Sequence, residues 1–241
     1  MICHKYKCLF IHIPKTAGQC IEFAFLKSLG LNWRNRSPLL LCPNHDPSKG
    51  PPRLAHLTAR EYLIYEYISD ELFNSYFKFS FVRNPWSRLV SEYRYRHMKC
   101  DFKTFVFKHL PNPENDCYQK ARDLYRHVIP QYDFLFDDEG LQMVDFIGRF
   151  EDLQQDFDHV CHTISLPKKT LPLRNDSTLL GRFSKWMDIR EEEHLIGWLN
   201  RLFPNRQRNY RYADYYDDET TEFVANLYQK DITTFGYRFE E

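Results

Sequence analysis

Neither sign of charge prevails in this sequence: 33 basic residues stand against 33 acidic ones over 241 positions, a formal net charge of zero. Without a global field, nothing recommends nucleic acid or an anionic membrane surface as the main partner, and any anion site has to be local. Cysteine pairs at CxxC spacing are missing too. The seven cysteines, Cys3, Cys8, Cys20, Cys42, Cys100, Cys117 and Cys161, are odd in number and scattered. That excludes a zinc ribbon or finger and reads as free, partly buried thiols of a reducing compartment. Cys42-Pro43-Asn44-His45-Asp46 has no further Cys or His at ligand spacing, so it reads as a loop, and no metal is expected. No window reaches about 18 uninterrupted apolar residues. The opening MICHKYK runs directly into a strand-like segment, without a basic region followed by an apolar one. Neither a membrane span nor a signal peptide is expected, and the chain reads as a complete cytoplasmic protein; the alternative is a trimmed Golgi-type enzyme. Internal repeats and low-complexity tracts are absent as well.

What is present is material for a core. Apolar residues make up 43% and aromatics 17%, with 20 Phe and 16 Tyr, so an ordered globular protein is expected. Cys8–Ile13 is an apolar run of β-formers that Pro14 stops. Gln19–Leu29 then has helical spacing, with Gly30 as its stop. Asn32–Pro52, with five prolines, reads as a long loop or short strands. Ala59–Ile68 reads as a helix and Phe77–Val82 as a second strand. Asn84 and Pro85 suit the N-cap and first position of a helix from Trp86 to about His97, with Leu89, Val90 and Tyr93 on its inner face. Val144–Phe150 reads as a strand and Glu151–Ile164 as the helix after it. Arg190–Phe203 is an amphipathic helix with acids in its first turn. A last helix is capped by Asp217 or Asp218, carries Phe223, Val224, Leu227, Tyr228 and Ile232, and closes at Gly236. The alternation predicts an α/β fold: a single P-loop-like domain over residues 1–241, its central parallel β-sheet flanked by helices.

Two constellations carry chemistry. In the first, Ile11-His12-Ile13-Pro14-Lys15-Thr16-Ala17-Gly18-Gln19-Cys20, a strand stops at a small-residue loop and opens a helix. Backbone N–H groups converge there, the helix terminus adds partial positive charge, and Lys15 adds a full one. The GxxxxGK[ST] pattern of nucleotide triphosphatases is absent, and Lys15 precedes the glycine, which argues against a P-loop kinase. In the second, Phe81-Val82-Arg83-Asn84-Pro85-Trp86-Ser87-Arg88-Leu89-Val90-Ser91-Glu92-Tyr93, another helix start follows a strand. It adds a guanidinium at the strand end, with Ser91 placed to face the same oxygens. Two phosphate sites on neighbouring strands suit a nucleotide bearing a separate ribose phosphate. The plainer alternatives are an ordinary turn with a solvated lysine, and arginines paired with acids.

The pair IHIPKTAG and FVRNPWSRLVSEY resembles the donor-binding motifs of carbohydrate-type sulfotransferases, the group that includes heparan sulfate 2-O- and chondroitin/dermatan sulfotransferases. Ile147–Phe157 is similar to that family's strand–helix after the donor site, Leu171–Ser177 to its LPxxNxS stretch, and Tyr212–Phe239 to its C-terminal helix. Asn32–Pro52 and Lys99–Asp133 have no counterpart. The resemblance implies transfer of a sulfonate group from 3′-phosphoadenylyl sulfate (PAPS) to a hydroxyl, leaving the bisphosphate PAP, without a metal. It implies that Pro14, Lys15, Thr16, Ala17, Gly18, Gln19 and Cys20 form the cradle of the 5′-phosphosulfate, and that Arg83 and Ser91 hold the 3′-phosphate. Gln19 and Cys20 depart from the family's Thr and Ser, and a thiol is a poor phosphate donor.

In-line attack on sulfur needs neutralisation of the leaving phosphate, for which Lys15 is placed, and a base for the acceptor proton. His56, between the two motifs where similar family members carry their catalytic histidine, is the first candidate; His12 and Glu61 follow. Arg94, Tyr95, Arg96, His97 and Lys99 form either a solvated helix face or the wall of an acceptor cleft, and Arg201–Tyr212 is equally ambiguous. The acceptor is expected to be a carbohydrate. The alternatives are a small hydroxylated metabolite or lipid, or a nucleotide-binding protein without transfer.

Overall fold

The structure is a computed structural model describing residues 1–168, 170–171 and 211–240. In chain order its elements begin with β1 (Ile2–Cys3), β2 (Cys8–Ile11), α1 (Gly18–Leu29), α2 (Ala59–Ile64), α3 (Asp70–Ser75), β3 (Phe77–Val82) and α4 (Pro85–Tyr95). They continue with α5 (Phe102–Thr104), β4 (Asp116–Cys117), β5 (Arg122–Asp123), α6 (Tyr132–Leu135), β6 (Phe146–Arg149) and α7 (Leu153–Thr163). After the undescribed stretch come α8 (Asp218–Leu227) and α9 (Gln229–Phe235).

The central sheet runs β1-β2-β3-β6. β2, β3 and β6 are parallel, with Phe10 opposite Phe79 and Phe79 opposite Phe146. The expected parallel sheet is therefore present, but β1 pairs antiparallel to β2 and makes it mixed. A two-residue strand joined by a tight turn can return only antiparallel, because a parallel neighbour needs a long crossover. Alternation along the parallel strands divides the core. Phe10, Phe79 and Phe81 face Ile21, Phe25 and Phe157 on one side. Leu9, Ile11 and Val82 face Tyr62, Phe134 and Phe235 on the other. A third cluster, built on Trp86, Leu89, Val90, Phe105 and Tyr228, joins α4 to α8. Burial on both faces explains why β2 and β3 read as near-continuous apolar runs.

Boundaries shift for identifiable reasons. β2 ends at Ile11 rather than Ile13, as the chain lifts out of pairing toward Pro14. The expected helix to Ile68 stops at Ile64, where Glu66 takes a left-handed turn at φ 58°, and the unforeseen α3 follows. The last helix divides in two: Asp217 caps α8 in a box with Thr220, and the chain turns at Tyr228 before α9 ends on left-handed Gly236. The proposed helix Arg190–Phe203, residues 172–177 of the family-like stretch, and most of Arg201–Tyr212 lie outside the described residues. Among the described residues no helix is long and apolar enough to cross a membrane. None of the cysteines is in a disulfide.

Candidate functional site

The first turn is shaped by two left-handed residues, Lys15 at φ 73° and Ala17 at φ 67°. Such alternation turns successive N–H groups toward one point, forming an anion-binding nest. Ala17 is also the N-cap of α1 and supplies no side-chain acceptor. No side chain caps the first turn of this twelve-residue helix; the Cys20 N–H is held by the Ala17 carbonyl at 2.9 Å, and a start without a side-chain cap suits an anion at the N–H groups before it. Gly18 is required by its neighbour: a Cβ there would lie 2.0 Å from His12 Cδ2.

Within this cradle the anticipated ligands divide. Pro14 fixes the turn, its carbonyl held by Arg88 Nε at 3.0 Å. The Thr16 hydroxyl faces inward and donates to the Ile13 carbonyl at 2.9 Å, so Thr16 has only its backbone N–H for an anion. Gln19 is exposed at the helix start, whereas Cys20 is buried among Phe10, Ala24 and Phe79. Cys20 belongs to the core because it falls on the inward face of α1. The Lys15 ammonium lies 4.0 Å from the centre of the Tyr95 ring, on the last turn of α4.

The second turn stands beside the first because β2 and β3 are adjacent. Asn84 caps α4, accepting from the N–H groups of Trp86 at 3.1 Å and Ser87 at 3.3 Å. The Arg83 guanidinium lies 4.0 Å over the Phe150 ring. Its Nε donates to Ser87 Oγ at 3.0 Å and its Nη1 to the Lys15 carbonyl at 3.3 Å. Ser91, half-buried, follows Ser87 by one helical turn and shares its face. Arg88 is 2% exposed and donates its hydrogen bonds to the carbonyls of Pro14, Ile129 and His127 rather than to a carboxylate, although its charge is felt by buried Asp231.

Three histidines gather next to the cradle. The His12 and His56 ring centres are 4.6 Å apart, and those of His56 and His127 are 5.3 Å apart. His12 is buried and its Nδ1–H donates to Glu22 Oε1 at 2.6 Å. His127 Nδ1–H donates to Glu92 Oε2 at 3.1 Å, while its Nε2 is buried without a partner. His56 Nδ1 faces the His12 carbonyl at 3.4 Å, so that nitrogen carries the hydrogen and Nε2 keeps the basic lone pair. Burial pushes the His56 imidazolium well below its ordinary pKa, and His12, His127 and Arg53 push it further in the same direction.

The loop bearing His56 is braced. Arg126 Nη1 donates to the His56 carbonyl at 3.1 Å, and the same guanidinium grips Glu61 through two 2.7 Å hydrogen bonds. Glu61 also accepts from the Thr58 N–H at 2.8 Å in the capping box of α2. Its two oxygens thus hold the fold around His56. Glu92, buried on α4, accepts from Arg96 Nε at 2.6 Å. Burial alone would raise the Glu92 pKa, but His127, Arg96 and Lys15 hold it down to about 2.

Sequence reasoning missed His127, Glu92 and Gln131. His127 and Gln131 fall in the 99–133 stretch, which has no periodic pattern, and Glu92 reads as an ordinary helical acid inside the second motif. Gln131 Oε1 accepts the Arg83 N–H and its Nε2 donates to the Arg83 carbonyl, each at 2.8 Å. Among the described residues no group of three or more His, Cys, Asp or Glu side chains is assembled to hold a metal ion. Asn44 and Asp46 instead cap tight turns of their own loop.

Comparison with known proteins bears on what this arrangement does. Residues 1–238 match the model described as "Sulfotransferase family". "Carbohydrate sulfotransferase 10" of Xenopus laevis is 28% identical over 257 aligned positions, covering 97% of this chain and 66% of the relative. The protein of the same name from Danio rerio is 26% identical over 192 positions, covering 75% of this chain and 47% of the relative. An uncharacterized protein of Archaeoglobus fulgidus is 30% identical over 114 positions, covering 45% of this chain and 83% of its own length. The chain thus spans about two-thirds or less of the named carbohydrate relatives. No solved structure matches it.

Proposed function

Because the chain belongs to the sulfotransferase family, we propose that it transfers a sulfonate group from PAPS to a hydroxyl of a carbohydrate, releasing PAP. The carbohydrate acceptor is suggested by what the Xenopus and Danio relatives are named for. The observation that carries the reading is the adjacency of two anion-receiving turns. Arg83 of the second donates to the Lys15 carbonyl of the first, and Arg88 donates to its Pro14 carbonyl. One ligand bearing two separated phosphates fits that pair, and the open cap of α1 fits the 5′ end.

When bound, PAPS supplies the sulfonate and a phosphate leaving group. Lys15 and the first-turn N–H groups of α1 stabilise negative charge on the phosphate side. Arg83 and Ser91 take the 3′-phosphate through charge-assisted hydrogen bonds. His56 Nε2 accepts the acceptor's hydroxyl proton as the oxygen–sulfur bond forms, and Arg126 and the His12 carbonyl hold that ring in place. With Cys20 in the core and Gln19 exposed, the cradle relies on backbone N–H groups and Lys15 rather than on hydroxyls.

The test is incubation of the full chain with donor radiolabelled in the sulfonate group and a panel of glycans, hydroxylated metabolites and lipids. Label in a glycan is the expected result. Label only in small hydroxylated compounds would overturn the acceptor class. Donor binding with no transfer to any acceptor would leave a nucleotide-binding protein instead.

A further inference from the structure

Beyond the last residue of β3, one more pair of strand-like hydrogen bonds is made, and a side chain makes it. The Gln131 amide meets both the N–H and the C=O of Arg83 at 2.8 Å. One acceptor and one donor, side by side, occupy the place a neighbouring strand would take. An inverted amide would set donor against donor, so its orientation is decisive. Asp231 on α9 fixes it. Asp231 Oδ2 accepts from Gln131 Nε2 at 3.2 Å and from the Gln131 N–H at 2.9 Å, while Oδ1 accepts from the Tyr132 N–H at 2.8 Å. A carboxylate only accepts, so the NH₂ end must face Asp231, which leaves Oε1 for Arg83.

Gln131 and Asp231 are both fully buried and make these bonds away from solvent. The Asp231 bonds hold Gln131 and Tyr132, and the Gln131 amide in turn meets the backbone of Arg83, whose guanidinium reaches both turns through Ser87 and the Lys15 carbonyl. The same C-terminal segment reaches the turn again: Asn84 Nδ2 donates to the Arg238 carbonyl at 2.8 Å, and Trp86 Nε1 donates to the Thr221 carbonyl at 3.1 Å. We propose that Gln131 and Asp231 are positioning residues that aim Arg83, so that the C-terminal helix sets the preference for nucleotides bearing a 3′-phosphate. The inference rests on the donor reading given above.

The experiment measures, by titration calorimetry on the full chain, the affinity for adenosine 3′,5′-bisphosphate and for adenosine 5′-monophosphate. Wild type, Gln131→Met and Asp231→Asn are compared. Wild type is expected to prefer the bisphosphate. Either substitution should erode that preference about tenfold, the worth of a displaced charge-assisted bond, with monophosphate binding changed less than about twofold. Added to Arg83→Ala, Gln131→Met should leave the ratio where Arg83→Ala alone puts it, since residues acting through one another are not additive. Equal weakening of both nucleotides, which general loosening of the fold produces, overturns the inference, as does an unchanged ratio. A wild type without any preference for the bisphosphate sinks the donor reading itself, and this inference with it.

Discussion

Arg88 Nε donates to the carbonyl of Pro14 at 3.0 Å, and this single bond ties the turn that follows β3 to the turn that follows β2. The two other branches of the guanidinium reach the carbonyls of Ile129 and His127. One buried cation therefore sets the spacing of both anion turns and the height of the histidine cluster. Arg88→Met should strand three carbonyls without donors, destabilising the chain by about 3 kcal/mol in urea unfolding and weakening bisphosphate binding. A variant of wild-type stability and wild-type affinity would show the clamp to be idle.

Lys15→Ala removes the side-chain cation of the first turn, which is proposed to neutralise the leaving phosphate. Turnover should fall about 100-fold or more, in line with losing one preorganised stabiliser of developing charge. The radiolabelled transfer assay measures this, and unchanged turnover would remove Lys15 from the mechanism.

His56→Ala should lower turnover by about 10²–10⁴-fold, the usual contribution of a positioned base. Because burial, and then His12, His127 and Arg53, push the His56 pKa well below its ordinary value, the acid limb of kcat/KM should lie at lower pH than an unperturbed histidine would give. A limb centred at pH 7 or above would assign the base elsewhere.

Gly18→Ala places a methyl 2.0 Å from His12 Cδ2. The ring cannot retreat, since Glu22 holds it at 2.6 Å. An overpacking cost of about 2 kcal/mol is expected, lowering Tm by about 5 °C in a chain of this size. Calorimetry checks it, and an unaltered Tm would mean that the turn yields.

Glu92 gives the fold an acid dependence. Its folded pKa, about 2, lies below the ordinary value of 4.5. The stabilisation is therefore fully present above about pH 4.5 and is lost as pH falls toward 2. Glu92→Gln should cost about 3 kcal/mol at pH 7, and the gap from wild type should narrow at pH 3. A gap that stays constant between pH 7 and pH 3 would contradict the charged pairing.

Much of this was legible because it depends on local order along the chain. Asn84-Pro85 marks a helix start, and Cys8–Ile13, of which Cys8–Ile11 is paired, and Phe77–Val82 read as strands because both of their faces are buried. The turn from strand to helix is legible in PKTAG, but the inward Thr16 hydroxyl and the core position of Cys20 follow from which face of α1 meets Phe79. His56 was singled out by its place between motifs, whereas its partner His127 lies 71 positions away, and no periodicity links them. The Gln131–Asp231 pair is separated by 100 positions and does its work through backbone bonds, which leave no mark on residue type.

Arg88 bridges 39, 41 and 74 positions of chain with its three carbonyl bonds. Contacts of such separation form only after long loops have closed, so they weigh on the rate at which the native state is reached. The parallel sheet closes loops just as long, Ile11 opposite Ser80 and Ser80 opposite Ile147. The strands and the turns they carry thus depend on the same distant contacts, and on the proposed reading nucleotide binding reports completed folding. Nucleotide present during refolding should raise final stability by mass action on the native state.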